Sequence, residues 1–176
     1  MFLDLMEKRR SIRKFKDIPV EKDKQDMLIE TALRSPSSMG RNPWEFIVVT
    51  DKELLTKLSK AKQHGASFLK NAPLAIVVCA DPAKCDVWIE DTSIASVLVH
   101  VAAGSLGLGS CWVQIRERRH SDDRTAGEYI AELLGVPSGM EIESVIAVGY
   151  PDEHKPGHKK EDLQYEKVHK NFYGKR

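Results

Sequence analysis

The sequence predicts an α+β fold, with helices placed around a four- or five-stranded sheet, and three observations predict it. Four short runs carry the apolar and β-branched residues of buried strands: "WEFIVVT" (44–50), "LAIVVCA" (74–80), "GLGSCWVQI" (107–115) and "SVIAVGYP" (144–151). Segments with helical periodicity separate them. Glycines and prolines punctuate the joins, while no linker, repeat or low-complexity stretch divides the 176 residues, so a single domain over 1–176 is expected.

Taken in order, Pro19 precedes a helix from about Glu21 to Arg34, with Leu28, Ala32 and Leu33 on its inward face. "RSPSSMGRNPW" (34–44) is loop chemistry, because Pro36, Gly40 and Pro43 block regular structure. The first strand follows, and Asp51 is placed to cap a helix carrying Leu54, Leu55 and Leu58. After the second strand, a helical stretch runs from Asp86 to about Leu106 and is apolar on nearly every side in its second half. Such a helix belongs in a core, or in a core shared with a partner. Ser121 is the expected cap of a helix ending at Leu134, with Tyr129, Ile130, Leu133 and Leu134 inward and Gly135 as its stop. The segment from Asp152 to Arg176 is polar and basic, punctuated by Tyr165 and Phe172, and reads as laid over a surface.

The charge balance, 27 basic against 26 acidic residues for a net +1, argues against a general nucleic-acid binder. Three cysteines, Cys79, Cys85 and Cys111, lack CxxC spacing and point to reduced thiols rather than disulfides or a metal site. The N-terminus places apolar residues before charges, the reverse of a secretory signal, and the stretch Ile94 to Ala103 falls short of the ~18 residues of a membrane span. A soluble cytoplasmic protein is expected, with no membrane or nucleic-acid partner.

Two motifs ask for chemistry. "GSLGLG" (104–109) lies between a helix and a strand, the reverse of the dinucleotide fingerprint, so Gly107 and Gly109 are read as ending the helix and admitting a tight turn. "RRSIRKF" (9–15) gathers four cations and a hydroxyl. It is either a solvated charge run or a phosphate cradle in which Arg9, Ser11 and Arg13 converge on one anion. His100, on the apolar helix, reads as a satisfied core histidine, and Trp44 as an anchor of its strand. Nothing in the sequence activates Cys111 as a nucleophile. The tail lysines from Lys155 to Lys160 are read equally as solvated or as phosphate ligands, and "RERRHSDDR" (116–124) as a salt-laced loop.

"RRSIRKF", "SPSSMGRNPWEFIVVTD" (35–51), "LGLGSCWVQ" (106–114) and "VGYPDEHKP" (148–156), in this order and at these spacings, resemble the nitroreductase family of FMN-dependent oxidoreductases, particularly its short members. The resemblance covers almost the whole chain. It implies a three-layer α+β sandwich forming an interlocked homodimer, with FMN in the interface and touched by both subunits. By the same resemblance, Arg9, Arg10 and Ser11 would hold the phosphate and ribityl chain, with Arg13 near N1 and the C2 carbonyl of the flavin. Pro36, Ser37, Ser38 and Asn42 would come from the neighbouring subunit. Trp112, Val113 and Gln114 would line one face of the ring, and Lys159 and Lys160 would complete the phosphate contacts. The chain departs from the family pattern at Gly40, at Asn42 and at Val97-Leu98. The family's Asn or Gln before the second strand has three candidates here, Gln63, His64 and Asn71.

The implied activity is hydride transfer from NADH or NADPH to flavin N5 and then, by ping-pong exchange, to a nitroaromatic, quinone or related acceptor, with no indispensable side-chain acid or base. The alternatives are a flavin-binding or sensing module with little turnover, and other flavin chemistry on the same fold, such as reductive dehalogenation or flavin fragmentation.

Overall fold

The computed structural model describes residues 2–176. Its helices are α1 (Phe2–Lys8), α2 (Lys22–Leu33), α3 (Lys52–Leu58), α4 (Trp88–Ser105) and α5 (Ala126–Leu134). Its strands are β1 (Trp44–Val49), β2 (Leu74–Ala80), β3 (Gly109–Gln114) and β4 (Glu141–Gly149), joined in the order β1-β2-β4-β3 with every pair antiparallel.

Side-chain alternation along the inner strands creates the layers. Leu74, Ile76 and Val78 of β2 join Ile146 and Val148 of β4 in a core covered by Leu28 and Ala32 of α2 and Val99 and Ala103 of α4. Ala75, Val77 and Cys79 turn the other way, with Val145 and Ala147, to meet Leu55 and Leu58 of α3 and Ala126 and Ile130 of α5. The sheet is thus sandwiched between α2/α4 and α3/α5, the three layers expected. A strand covered on both faces must be apolar throughout, which is why "LAIVVCA" lacks an alternating polar pattern. Each large side chain buried there contributes on the order of 2 kcal/mol.

The helix ends follow local chemistry. Asp51 caps α3 by accepting the Leu54 N–H at 2.8 Å. At α5 the cap is Thr125, not Ser121. Thr125 and Glu128 satisfy each other's backbone N–H groups in a capping box, whereas Ser121 Oγ donates to Asp123 within the preceding loop. Gly135 stops α5 at φ 68°. Leu33 departs from expectation as well: it is exposed, with Leu28 and Ala32 alone buried from α2. All three cysteines are free and buried. Among the described residues no helix is long and apolar enough to cross a membrane.

α4 crosses the sheet with one face buried and another open. Asp91, Thr92, Ala95, Ser96, Val99, His100 and Ala103 face inward. Ile94 and Val97 stay exposed, and Leu98 is half-buried. These three lie at the three- and four-residue spacing of a single helical stripe.

Candidate functional site

The segment after α1 does not fold into a helix. Ser11 forms a parallel bridge with Ser110 of β3, the Ile12 N–H donates to the Ser110 carbonyl at 2.9 Å, and Phe15 bridges Pro151. The contact is close because residue 109 is glycine: a Cβ there would lie 2.9 Å from Ile12 Cβ. The bridge fixes the "RRSIRKF" segment against one edge of the sheet.

Arg9 and Arg10 then border a cavity of about 380 Å³, with Lys8, His100, Ser110 and Lys155 also in its wall. The tail closes it from above. Pro156 accepts a hydrogen bond from the Arg10 guanidinium, and Gly157 passes so near α1 that a Cβ would stand 2.1 Å from the Glu7 carbonyl oxygen. Lys155 Nζ donates to the Ser11 carbonyl at 2.9 Å and pairs with Glu153 at 3.1 Å. Glu153 is the one carboxylate in the wall, and it is already engaged. It accepts the Arg13 N–H at 2.6 Å and the Lys14 N–H at 3.2 Å, which hold its carboxyl below the usual range. The cavity therefore keeps a cationic excess suited to a multivalent anion.

A second cationic group lies along β3. The Arg13 guanidinium sits 5.9 Å from the Phe68 ring, and Lys62 Nζ donates to the Gln114 carbonyl at 3.0 Å. Burial, then the nearby Arg118, pulls the Lys62 ammonium below its ordinary value. Burial raises the Cys111 thiol, while Arg13, the Ser11 hydroxyl, Lys155 and Lys62 oppose that rise. Burial outweighs these cations, so Cys111 is not held as a ready thiolate, in keeping with the sequence reading.

β3 is an edge strand. Its alternation places Trp112 against the α2/α4 core and Val113 in the α3/α5 core. Trp112 Nε1 donates to Gln114 Oε1 at 2.9 Å, and Gln114 Nε2 donates to Glu143 Oε1 at 3.3 Å. The side chains of Trp112, Val113 and Gln114 thus do not share one face. Trp112 and Gln114, in step with Ser110, turn their backbone groups to the outer edge of the strand, whereas those of Val113 pair inward with β4.

Pro36, Ser37, Ser38 and Asn42 form a second, separate unit. Asn42 N–H donates to Ser37 Oγ at 3.0 Å, Ser37 Oγ donates to Asn42 Oδ1 at 2.6 Å, and Met39, Gly40 and Asn42 all adopt positive φ. Asp91, buried at the start of α4, accepts the Ser38 N–H at 2.9 Å and the Cys85 thiol at 3.4 Å. His100 and Gly104, by contrast, belong to the arginine cavity. At 1.5 Å rise per residue, Asp91 and His100 are ~14 Å apart along α4. Within one chain the two groups of site residues occupy opposite ends of that helix.

Lys159 and Lys160 are exposed and lie outside the cavity wall, to which the tail contributes Lys155 instead. Of the candidates before β2, Asn71 borders a different cavity, of about 610 Å³, together with Asp17, Lys52 and Lys70. Gln63 is tied through its backbone N–H to the Arg119 carbonyl, and His64 is exposed. Lys62 and His100 are the site neighbours that the sequence does not single out for that role, while Lys155 is the one of the candidate tail lysines 155–160 that lines the cavity. Each reaches the site from a part of the chain remote from "RRSIRKF".

The sequence pattern of the nitroreductase family matches residues 6–66 and 57–150, and the chain belongs to that family. A solved structure of an FMN-dependent nitroreductase from Clostridium difficile R20291 superposes with a TM-score of 0.96 at 52% identity, covering 97% of this chain and 99% of that one. An Archaeoglobus fulgidus protein with the provisional name NADH dehydrogenase/NAD(P)H nitroreductase is 37% identical over 164 residues, 91% of each chain. The FMN reductase [NAD(P)H] of Bacillus subtilis is 28% identical over 92% of this chain and 72% of its own.

Proposed function

We propose that this protein is an FMN-dependent NAD(P)H oxidoreductase that works as a homodimer. The observation that carries the reading is the cavity walled by Lys8, Arg9, Arg10 and Lys155, with its single carboxylate already satisfied, in a chain of the nitroreductase family. A phosphate dianion loses strong hydration on binding, and several oriented donors are needed to offset that loss.

The residues fit FMN. Arg9, Arg10 and Lys155 would hold the phosphate, with Ser11 beside them. Arg13 and Lys62 would place positive charge at the far end, along the free edge of β3. When bound, FMN supplies the acceptance and delivery of hydride. The chain contributes binding, orientation and charge: Arg13 and Lys62 favour any anionic form of the ligand beside them, and the backbone edge near Gln114 offers donors and acceptors. Lys159 and Lys160 remain candidate phosphate contacts only if the tail moves when the ligand binds.

The division of the site supports the dimer reading. Pro36–Asn42 and the arginines are held at opposite ends of α4, an arrangement that suits a site completed by a second chain. The exposed stripe of Ile94, Val97 and Leu98 lies between those ends. Packing that stripe against its copy about a two-fold axis, with the helices antiparallel, would set the loop of one subunit beside the cavity of the other. A nitroaromatic, quinone or similar planar acceptor suits a pocket shared in turn with the nicotinamide.

The test is an absorption spectrum of the purified protein after incubation with FMN, followed by anaerobic titration with NADH or NADPH. One flavin per chain, bleached by the nicotinamide and reoxidised by a quinone, is expected. Protein that stays colourless in excess FMN overturns the cofactor assignment, and bound flavin that no nicotinamide reduces overturns the enzymatic one.

A further inference from the structure

Resting on the FMN reading above, we infer that His100 is a positioning residue for the phosphate clamp: its imidazole fixes the Arg9 guanidinium in place before the ligand arrives. Arg9 Nη1 lies 3.0 Å from His100 Nε2. A guanidinium can only donate, so Nε2 accepts and the ring proton resides on Nδ1. Nδ1 in turn meets Ser110 Oγ, and the Ser110 hydroxyl donates to the His100 carbonyl at 3.1 Å. Every proton in this chain has one direction. Reversing any link would leave two donors facing each other.

Ser110 holds the cradle twice. Its hydroxyl seats the imidazole, and its carbonyl accepts the Ile12 N–H that pins the arginine segment to β3. His100 is 8% exposed, in the C-terminal half of α4, and could not reach solvent to satisfy its nitrogens without the two partners. Burial and the Arg9 charge hold the imidazole at a pKa of about 4, so the accepting form persists at neutral pH. The other charged or titratable groups of the cavity wall are Lys8, Arg10, Glu153, His154 and Lys155, and Lys155 is committed to Ser11 and Glu153. Arg9 spends one of its donors on His100 and keeps the others for an anion. A long side chain ordered in advance loses less freedom on binding, which is where the affinity gain arises.

The experiment titrates apo-protein with FMN and, separately, with riboflavin, which lacks the phosphate. It compares wild type, His100→Leu, His100→Gln, Arg9→Ala and the Arg9→Ala/His100→Leu double variant, each checked by thermal melting. The leucine variant is expected to weaken FMN about tenfold, the loss of roughly one charge-assisted hydrogen bond. Riboflavin affinity should stay within about twofold, because a clamp on the phosphate has no part in holding the ring. Glutamine, whose carbonyl can accept from Arg9, should restore most of the FMN affinity. The double variant should be no weaker than Arg9→Ala alone, since His100 acts through Arg9. Equal losses for FMN and riboflavin, no loss in the leucine variant, no rescue by glutamine, or additive losses would each overturn the inference. Failure of the wild type to bind FMN, a different result, removes the cofactor reading and this inference with it.

Discussion

The two ends of α4 carry two pieces of binding apparatus built on opposite plans. At the C-terminal end, the arginine cavity gathers Lys8, Arg9, Arg10 and Lys155 from both termini of the chain, and tail, helix and strand close around them. At the N-terminal end, the Pro36–Asn42 loop is just as firmly held, by Ser37–Asn42 hydrogen bonds and by the buried Asp91, with Met39, Gly40 and Asn42 at positive φ. Met39 holds a positive φ, which costs a non-glycine residue energy, while Asn42 tolerates it more readily. The difference teaches how the proposed shared site would divide its labour: a preorganised backbone loop at one end of α4, and a cavity shaped for a charge at the other.

Separating the ends should have the largest effect. Replacing Ile94 and Val97 by Glu would place four carboxylates at the proposed two-fold contact, and should yield monomers by analytical ultracentrifugation with FMN affinity reduced about 100-fold or more. A monomer that binds FMN as wild type would show that the two ends work independently.

The cavity end should also report on pH. The His100 pKa is lowered from 6.5 to about 4, so the unfolded chain takes up a proton that the folded one refuses between those values. The contribution to stability is complete above pH 6.5 and is lost as pH falls toward 4, by up to about 3 kcal/mol. Denaturant unfolding across that range should show the decline in wild type and a shallower one in His100→Gln.

At the loop end, Asp91→Ala removes the acceptor of the Ser38 N–H. A cost of about 2 kcal/mol in denaturant unfolding and a several-fold loss of FMN affinity are expected. Arg13→Ala should leave both ends folded but lower the flavin reduction potential by ~30 mV, the equivalent of a tenfold preference for the reduced form in a two-electron couple. An unchanged potential with full FMN occupancy would end that role for Arg13. The smallest effect belongs to a site remote from both ends: Thr125→Ala should cost ~1 kcal/mol through the lost capping box and leave flavin binding unaltered.

The sheet was legible in the sequence because β2 and β4 are covered on both faces, and that requirement writes itself as unbroken apolar runs. The loop was legible through Pro36, Gly40 and Pro43, and α3 through Asp51. Helix α1 was not, since "FLDLMEK" buries no residue of its own and has no capping signal; it is held by such contacts as Leu5 against Gly104. The cap of α5 is written in the sequence as Thr125 and Glu128, three residues apart, but Ser121 upstream carries an equally good capping side chain, and only the fold commits it to Asp123 instead. The arginines were visible as a cluster. Of their partners, Lys155 was visible only as one of several tail lysines, and Lys62 and His100 not at all, because tertiary structure brings them from dozens of residues away. The division of the site between the ends of α4 is likewise a property of the helix's place in the fold, which no local pattern encodes.

The central claim, that one chain's arginines and another chain's loop hold the same FMN, is tested most directly with mixed dimers. Chains carrying Arg9→Ala/Arg10→Ala are paired with chains carrying Ser37→Glu/Ser38→Glu, and flavin is counted per purified mixed dimer. Shared sites predict one FMN, because the two defects fall together in one site and leave the other intact. No FMN in the mixed dimer, with full occupancy in the wild type, would mean that each chain builds its site alone.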